Sequence, residues 1–366
     1  MDERYDRYDL ARIQEALKKE FARWSAGENP LLALTREQRL LRLGYDPAGA
    51  GEMSLDAREQ VSTANRAYGI GAQAYPPAFD LRDVNGQNYI TPIRDQGGCG
   101  SCVAFGTIAT IEGTARYQKR DPNLPIDLSE AELFYCVARS QGRTCANGWW
   151  VPPAMDACRD QGVPDEACYP YTAGDQNCNR CSDWQKRAVK ITDWHQIGDP
   201  ADIKAWISTQ GPVGACFSVY DDFYAYRSGV YHHVIGDLVG GHCVSMVGYS
   251  DTGGYWICKN SWSANWGEQG FFRIAYGECG IDAVGYAANG IVDTGWITGK
   301  RVQGLWAIDQ DRNAWAYLET AGWKKIAPDN DNIFFDLLTE LAAAKLASRP
   351  CNVYVDHGVI HQLYVL

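Results

Sequence analysis

The chain has 366 residues with a formal net charge of −11; 46% of the residues are apolar and 12% are aromatic. This composition excludes a disordered chain, and the length exceeds the roughly 250–300 residues of a single hydrophobic core. The acidic balance argues against nucleic acid or an anionic membrane surface as the main partner, and no apolar run reaches the roughly 18 residues of a membrane-spanning helix.

Residues 1–74 contain no cysteine and are rich in charged residues and alanine. Helical spacing predicts one amphipathic helix that ends at Gly27, with an apolar face formed by Leu10, Ile13, Leu17, Phe21 and Trp24. Thr35 and Gln38 have the spacing of a capping box, so we expect a second short helix, which stops at Gly44. Residues 45–75 are rich in Gly, Ala and Pro and predict an extended linker.

Residues 75–293 hold most of the cysteines and glycines and form the predicted main domain. A helix is expected from Ser101 to about Tyr117. After about Ile191 the pattern changes to short β-rich runs, which are Gly214–Tyr220, Cys243–Tyr249, Tyr255–Lys259 and Gly270–Ala275. A helical half followed by a β half predicts an α+β fold of two subdomains with a cleft between them.

Residues 294–366 predict a separate small α+β module. Its expected strands are Leu305–Ile308, Ala314–Leu318, Asn352–Asp356 and Val359–Leu366, with a helix around residues 333–341 and a hairpin turn at His357-Gly358. The sequence leaves its role open among anchoring, regulation, and binding of a protein or surface partner.

Thirteen cysteines indicate disulfides and therefore an oxidising compartment, because eleven of them lie between Cys99 and Cys258 inclusive. The odd total leaves at least one free thiol. The amino terminus is charged and lacks the apolar core of a signal segment. We therefore expect an exported, secreted or otherwise extracytoplasmic protein whose signal segment is not part of this sequence.

The segment Gln96-Gly-Gly-Cys99-Gly-Ser-Cys102-Val-Ala-Phe105 carries the main chemical signal. A cysteine nucleophile reacts as the thiolate, so its pKa must be lowered. Cys102 starts a predicted helix, whose partial positive charge favours an anion. A nearby imidazolium would supply the second stabilising charge.

Three further residues complete a candidate catalytic group. His242 opens a β-rich run after the glycine pair Gly240-Gly241, and Asn260 ends the next predicted strand. The amide oxygen of Asn260 is suited to orient the imidazole by accepting a hydrogen bond. Gln96 is placed to form an oxyanion hole with the Cys102 backbone N–H group.

These segments resemble papain-like cysteine peptidases, in particular cathepsin L-like precursors. The resemblance covers about residues 76–290 and also includes Tyr75–Arg82, Leu128–Leu133, Cys168–Tyr171 and Lys259–Gly270. It implies that Cys102 is the nucleophile, His242 the base and then the acid, Asn260 the orienting group and Gln96 an oxyanion donor. Trp262 would shield the hydrogen bond between His242 and Asn260.

The resemblance also implies the organisation of a precursor. Residues 1–74 correspond to a prosegment that blocks the cleft, although the family's usual prosegment signature is not clear here. Disulfides are implied between Cys99 and Cys145 and between Cys136 and Cys178, whereas the pairing of Cys158, Cys168, Cys181 and Cys279 stays open. No metal and no organic cofactor are expected, and the substrates would be peptides or proteins.

The implied substrate-binding residues show some departures from the family pattern. They are Gly148, Trp149, Val151, Cys216, Gly240, Gly241, Cys243, Trp262 and Val284. An apolar S2 pocket is expected from Val151, Cys216, Cys243 and Val284, and crowding of a subsite is expected from Trp149. Val103 stands where the family carries an aromatic residue.

Other interpretations compete with this one. Cys99-x-x-Cys102 is also the spacing of a redox pair, but Thr91-Pro92 breaks the strand that such a motif needs. His232-His233 predicts a solvated loop rather than an exopeptidase site. The alternative function is a catalytically silent relative that binds peptides or a partner, which the changes at Val103 and Trp149 keep open.

Overall fold

The computed structural model describes residues 10–47, 52–67, 75–292, 295–356 and 358–366. These form two compact units, which comprise residues up to 291 and residues from 292 onward. The expected boundary between residues 293 and 294 lies outside the described residues. Among the described residues, no helix has the length and apolar character needed to cross a membrane.

The first unit contains seven α-helices in its described part. They are α1 (Leu10–Lys19), α2 (Arg36–Leu40), α3 (Leu55–Ala67), α4 (Cys102–Lys119), α5 (Val151–Asp160), α6 (Trp184–Arg187) and α7 (Pro200–Thr209). Short 3-10 helices at Pro30–Ala33 and Asp221–Ala225 and a π-helix at Glu132–Ala138 complete its helical elements. The expected helix from Ser101 to Tyr117 is thus confirmed as α4.

Nine strands form one sheet in this unit. They are β1 (Trp24–Ala26), β2 (Ala78–Asp80), β3 (Trp194–Ile197), β4 (Val213–Tyr220), β5 (Tyr226–Tyr231), β6 (Leu238–Ser250), β7 (Tyr255–Lys259), β8 (Phe271–Ala275) and β9 (Gly285–Ala288). The order is β1-β5-β8-β7-β6-β4-β9-β3, and β2 pairs with β6. The four predicted β-rich runs coincide with β4, β6, β7 and β8, so the α+β fold is confirmed.

The unit has two hydrophobic cores, one for each half. The β half packs around buried Phe217, Phe223 and Trp266. The helical half packs around buried Ile108, Phe134 and Met155. Helix α4 contacts β6 so closely that a Cβ atom on Gly106 would lie 3.2 Å from the backbone nitrogen of Val244. This contact holds the start of α4 against the sheet.

The amino-terminal helix is shorter than the sequence predicts. Helix α1 ends at Lys19, and Phe21 is 91% exposed with a φ of 51°. Trp24 lies on β1, where it pairs with Gly229 of β5. The periodic spacing was correct for Ile13 and Leu17, which are buried, but backbone hydrogen bonds to the edge of the sheet replace the helix beyond Phe21.

The prediction of an extended linker over residues 45–75 is wrong. Helix α3 occupies 13 of these residues, and Arg58 on this helix is 1% exposed. The Ser54 hydroxyl accepts a hydrogen bond from the Ala57 backbone N–H at 3.2 Å, which caps the first turn. The high content of Gly, Ala and Pro over the whole segment concealed this shorter helical stretch. By contrast, both hydrogen bonds of the capping box between Thr35 and Gln38 are present.

The second unit is a closed five-stranded barrel with one helix. Its strands are β10 (Gly295–Ala307), β11 (Ala314–Leu318), β12 (Gly322–Ile326), β13 (Pro350–Asp356) and β14 (Val359–Val365), and its helix is α8 (Asp331–Leu346). The order around the barrel is β10-β11-β12-β14-β13. The expected strands and helix are confirmed, the closure was not predicted, and His357 of the expected turn lies outside the described residues.

Candidate active site

The candidate nucleophile lies at the start of helix α4. Cys102 is the first residue of the helix and is completely buried. The disulfide between Cys99 and Cys145 restrains the loop that precedes Cys102. Burial raises the pKa of the Cys102 thiol, and the nearby backbone of Cys243, Gly44 and Val103 lowers it in part. These backbone groups therefore partly stabilise a thiolate at the nucleophile position.

The candidate base and its orienting residue come from neighbouring strands. His242 lies on β6 and Asn260 directly follows β7, and the two strands are antiparallel. The His242 Nε2 atom is 2.7 Å from the Asn260 Oδ1 atom. The indole of Trp262 covers this contact, with its centroid 4.6 Å from the imidazole centroid. This arrangement fixes the ring plane and excludes water from the hydrogen bond.

The other imidazole nitrogen is available for proton transfer. Within the described residues, the His242 Nδ1 atom is buried and has no hydrogen-bond partner. The backbone of the next residue, Cys243, lies near the Cys102 thiol, so His242 and the start of α4 border the same part of the cleft. Because Nε2 is engaged by Asn260, Nδ1 is the atom that can exchange a proton there.

Gln96 is held rigidly beside the nucleophile. Its Oε1 atom accepts a hydrogen bond from the Ser261 hydroxyl at 2.7 Å, and its Nε2 atom donates to the Cys99 carbonyl at 2.9 Å. The same Nε2 atom donates to the carbonyl of Arg42 at 3.1 Å. The Arg42 carbonyl oxygen, in the amino-terminal segment, thus accepts a hydrogen bond from the Gln96 Nε2 donor that would bind an oxyanion.

The amino-terminal segment runs through the cleft and bridges at Tyr45 to the residues on both sides. The backbone N–H groups of Gly44 and Tyr45 donate to the Gly241 carbonyl at 3.2 and 3.1 Å. On the other side, the Trp149 N–H donates to the Gly44 carbonyl at 2.7 Å, and the Asp46 N–H donates to the Trp149 carbonyl at 3.0 Å. The segment therefore takes the main-chain hydrogen bonds that a bound peptide would take.

The closest approach in the cleft is between glycines. A Cβ atom on Gly44 would lie 2.0 Å from the Gly100 carbonyl oxygen, and one on Gly148 would lie 2.1 Å from the Gly44 carbonyl oxygen. Gly148 also has a φ of 62°. Gly241 is similarly close, because its Cβ would lie 2.6 Å from the Tyr45 carbonyl oxygen. The segment fits only because no side chain stands at these points.

Several residues that were expected to bind substrate lie near this segment, but their contacts differ from the expected ones. Trp149 contacts the segment through its backbone, whereas its indole is fully buried and donates to Gln141 at 2.9 Å, so the expected crowding is not observed. Gly240 lies next to Leu43 of the segment, and a Cβ atom on Gly240 would lie 3.1 Å from the Leu43 Cδ1 atom. Val284 is half-buried and borders the helical core.

The two cysteines expected in the S2 pocket are not separate thiols. Cys216 and Cys243 lie opposite each other on β4 and β6 and form a disulfide. With Val151 they belong to the same buried cluster as the ring of Tyr45. Two of the residues expected to line the S2 pocket thus form a disulfide, which no sequence pattern signals, since strand register decides which cysteines face each other.

The remaining cysteines divide into bonded and free ones. The structure joins Cys136 to Cys178, the pair that the resemblance implies, and joins Cys168 to Cys181. Both cysteines of the Cys178-x-x-Cys181 spacing are thus engaged in disulfides. The free cysteines of the described chain are all buried and are Cys102, Cys158, Cys258, Cys279 and Cys351.

The histidine pair outside the cleft makes more packing and hydrogen-bond contacts than expected. His233 stacks on Tyr220 with ring centroids 3.9 Å apart, and its Nδ1 atom is 3.2 Å from an Asp222 carboxylate oxygen. The His232 carbonyl accepts a hydrogen bond from the Trp24 indole at 2.9 Å. The pair lies in a loop as expected, and both residues are half-buried because the loop packs against β1 and β4, which was not visible in the sequence.

Burial shifts both candidate catalytic groups towards their neutral forms. Loss of water raises the pKa of the Cys102 thiol to about 12, despite the backbone N–H groups that stabilise its anion. The same cause lowers the pKa of His242 to about 4. In this covered state the pair is a neutral thiol beside a neutral imidazole, which is not the reactive form.

The sequence did not predict one polar cluster, which joins the amino-terminal segment to β9. It consists of Tyr45, Glu52 and Arg58 from the amino-terminal segment together with Tyr286 from β9. No sequence motif signals it, because Arg58 was assigned to a linker and Tyr286 lies in a strand of mostly small residues. Only the path of the segment brings these four side chains together.

The fold and this site are those of a cysteine peptidase precursor, and the comparisons agree. Residues 75–288 match the model of the papain family cysteine protease domain. The cathepsin B-like protein CP2 of Giardia intestinalis is 37% identical over 226 residues, which cover 58% of this chain and 73% of that protein. Cathepsin B-like cysteine proteinase 2 of Haemonchus contortus is 31% identical over 306 residues, which cover 72% and 89%.

A solved precursor has a similar fold. The digestive procathepsin L2 proteinase from the larval midgut of Tenebrio molitor matches with a TM-score of 0.62 and 26% identity, over 76% of this chain and 88% of that chain. The present chain therefore belongs to the papain family of cysteine proteases. It is a cysteine peptidase zymogen whose prosegment occupies the cleft.

We expect Gly44→Ala to loosen the prosegment. The new Cβ would overlap the Gly100 backbone, and overpacking of this kind costs about 1–3 kcal/mol, or about 5- to 150-fold in the population of the opened state. The measurement is the alkylation rate of Cys102 in the intact zymogen, resolved by peptide mapping. Gly198→Ala is the matched control, because nothing lies within 4 Å of its added Cβ. Equal rates in both variants would contradict the tight fit.

We also expect the buried imidazole to destabilise the zymogen in acid. The folded pKa of His242 is lowered to about 4, whereas the unfolded chain takes up this proton near the ordinary pKa of about 6.5. Stability is therefore fully present above about pH 6.5 and is lost as the pH falls towards about 4, by about 3 kcal/mol. Urea unfolding of the Cys102→Ser zymogen at pH 7 and at pH 4.5 measures this loss.

A second variant isolates the contribution of the histidine. Burial raises the pKa values of Glu112 and Glu130, and these acids act in the opposite direction. Adding His242→Gln to the Cys102→Ser background removes only the imidazole, so the acid-induced loss should shrink by about 2–3 kcal/mol. An unchanged pH dependence would show that His242 titrates normally in the folded zymogen.

Proposed function

We propose that this zymogen is the precursor of a cysteine endopeptidase in which Cys102, His242, Asn260 and Gln96 carry the reaction. The observation that supports this most directly is the hydrogen bond of 2.7 Å between His242 Nε2 and Asn260 Oδ1, which leaves the buried Nδ1 atom without a hydrogen-bond partner among the described residues. The position of the Arg42 carbonyl at Gln96 supports the same assignment.

The proposed reaction is acyl transfer through a thioester. The Cys102 thiolate attacks the peptide carbonyl carbon, and the negative charge on the carbonyl oxygen is stabilised by Gln96 Nε2 and the Cys102 backbone N–H. The C–N bond then breaks, and Nδ1 of the His242 imidazolium gives its proton to the leaving amine. Water, deprotonated by His242, attacks the thioester and releases the acid and the thiol.

Removal of the prosegment would restore the reactive protonation states. The thiol and the imidazole are neutral in the zymogen because both are desolvated. Solvent entering the cleft stabilises the thiolate–imidazolium pair, and the donors around Cys102 then favour the anion. The prosegment would thus inhibit in two ways, since it blocks the substrate path and suppresses the charged pair.

The path of the prosegment supports endopeptidase action and an apolar S2 pocket. The segment passes through the cleft as internal chain, and its ends are held by ion pairs between Arg42 and Asp95 and between Asp46 and Arg143. The Tyr45 side chain lies in the pocket walled by the disulfide and Val151. We therefore propose cleavage after a large apolar or aromatic penultimate residue.

Two further expectations stay predictions. The four disulfides fit an oxidising compartment and support an exported protein. Trp306 and Trp323 on the barrel unit are 46% and 48% exposed, which supports a protein or surface partner for residues 294–366. The alternative of a catalytically silent peptide-binding protein shares the fold and the cleft, and activity separates it from a peptidase.

The deciding experiment compares this chain with its Cys102→Ala variant in mild acid and reductant. We expect intact mass to show loss of the residues before about Tyr75 in the parent only, together with new alkylation at Cys102. A fluorogenic peptide library should then show preference for large apolar residues in the penultimate position. Cys351→Ala is a control, because this buried cysteine lies in the barrel unit. A processed parent without peptidase activity would favour the silent alternative, and a preference for charged residues would exclude the apolar pocket.

A further inference from the structure

Tyr45 of the prosegment occupies the place of a substrate side chain. Gly44 lies at the thiol, and the Tyr45 backbone bridges Trp149 on one side and Gly241 on the other. Its ring is 4% exposed and belongs to the cluster that contains the disulfide between Cys216 and Cys243. The Tyr45 ring therefore marks the S2 pocket, although Tyr45 follows Gly44 in the chain, whereas a penultimate substrate residue precedes the residue that reacts.

The phenol of Tyr45 meets a second phenol at the base of this pocket. The Tyr45 hydroxyl donates to one oxygen of the Glu52 carboxylate at 2.8 Å, and the Tyr286 hydroxyl donates to the other. Arg58 donates to the Tyr286 hydroxyl at 2.6 Å. Because one carboxylate accepts both hydroxyl groups, the two phenol oxygens lie side by side.

These partners leave together when the prosegment is removed. Within the described residues, the hydrogen-bond partners of the Tyr286 hydroxyl are Glu52 and Arg58, and both precede Tyr75. Tyr286 itself lies on β9 of the peptidase domain and is fully buried in the zymogen. The mature pocket would thus expose one hydroxyl among a disulfide and aliphatic side chains.

We propose that Tyr286 is a specificity-determining residue of the S2 pocket and that it favours tyrosine over phenylalanine at the penultimate substrate position. This inference rests on the peptidase function proposed above. A penultimate tyrosine whose ring takes the place of the Tyr45 ring would bring its hydroxyl to the space that Glu52 leaves beside the Tyr286 hydroxyl. A phenylalanine would displace water from that hydroxyl and leave it without a partner.

The size of the preference follows from the kind of bond. A neutral hydrogen bond between two hydroxyl groups has a modest net value, which corresponds to about 3- to 10-fold in kcat/KM. The bond forms equally in the bound substrate and in the transition state, so the difference should appear in KM rather than in kcat. Arg58 in the zymogen shows that the Tyr286 hydroxyl is also an acceptor, which suits a donating phenol.

The test uses the processed enzyme and four fluorogenic dipeptide substrates with the same reacting residue. The penultimate residues are tyrosine, phenylalanine, 4-methylphenylalanine and 4-aminophenylalanine. The methyl compound has the size of tyrosine without a hydrogen-bonding group, and the amino compound donates. We expect tyrosine and 4-aminophenylalanine to exceed both apolar analogues by about 3- to 10-fold in kcat/KM, through lower KM.

The matched variants are Tyr286→Phe and Tyr364→Phe. Loss of the Tyr286 hydroxyl should bring the ratio of tyrosine to phenylalanine close to one, whereas Tyr364, which is 59% exposed on the barrel unit, should keep the parent ratio. If Tyr286→Phe does not fold, the four substrates on the parent enzyme still decide. An active parent that cleaves phenylalanine or 4-methylphenylalanine as well as tyrosine would overturn the inference. A processed parent that cleaves none of the four would instead contradict the proposed function.

Discussion

The structure of the site depends on one hydrogen bond, between His242 Nε2 and Asn260 Oδ1 at 2.7 Å. The antiparallel pairing of β6 with β7 brings the two residues together, and Trp262 excludes water from the bond. With Nε2 fixed in this way, Nδ1 remains for proton exchange with a thiol at the start of α4. The contact of α4 with β6 then sets the position of that thiol, so the sheet register controls the geometry of the candidate reaction.

The prosegment uses the same geometry to keep the zymogen inactive. It bridges Trp149 and Gly241, places the Arg42 carbonyl at the Gln96 donor, and removes water from Cys102 and His242. Desolvation favours the neutral forms of both groups, so the covered pair lacks a thiolate. Steric blockage and electrostatic suppression therefore have one physical origin, which is the close fit of Gly44 against Gly100 and Gly148.

Local signals predicted a large part of this molecule. Cys102 starts the expected helix, β4 and β6–β8 match the alternating runs, and the capping box at Thr35 forms both of its hydrogen bonds. The failures are non-local. Trp24 left its predicted helix because the edge of β5 offers backbone hydrogen bonds, and α3 was hidden because its contacts, such as that of Arg58 with Tyr286, join residues far apart in the chain. The closure of the barrel unit likewise depends on strand pairing across the chain.

By itself, the sequence determined the candidate reactive groups and their order: a cysteine after small residues, a histidine after a glycine pair, and an asparagine at the end of the next strand. These follow from the chemistry of each residue and from its immediate neighbours. Only the tertiary structure decided that Cys216 faces Cys243, that the indole of Trp149 points away from the prosegment towards Gln141, and that Tyr286 meets Tyr45. Those facts depend on strand register and on the path of the prosegment, which bring together residues far apart in the chain, and no local pattern encodes such contacts.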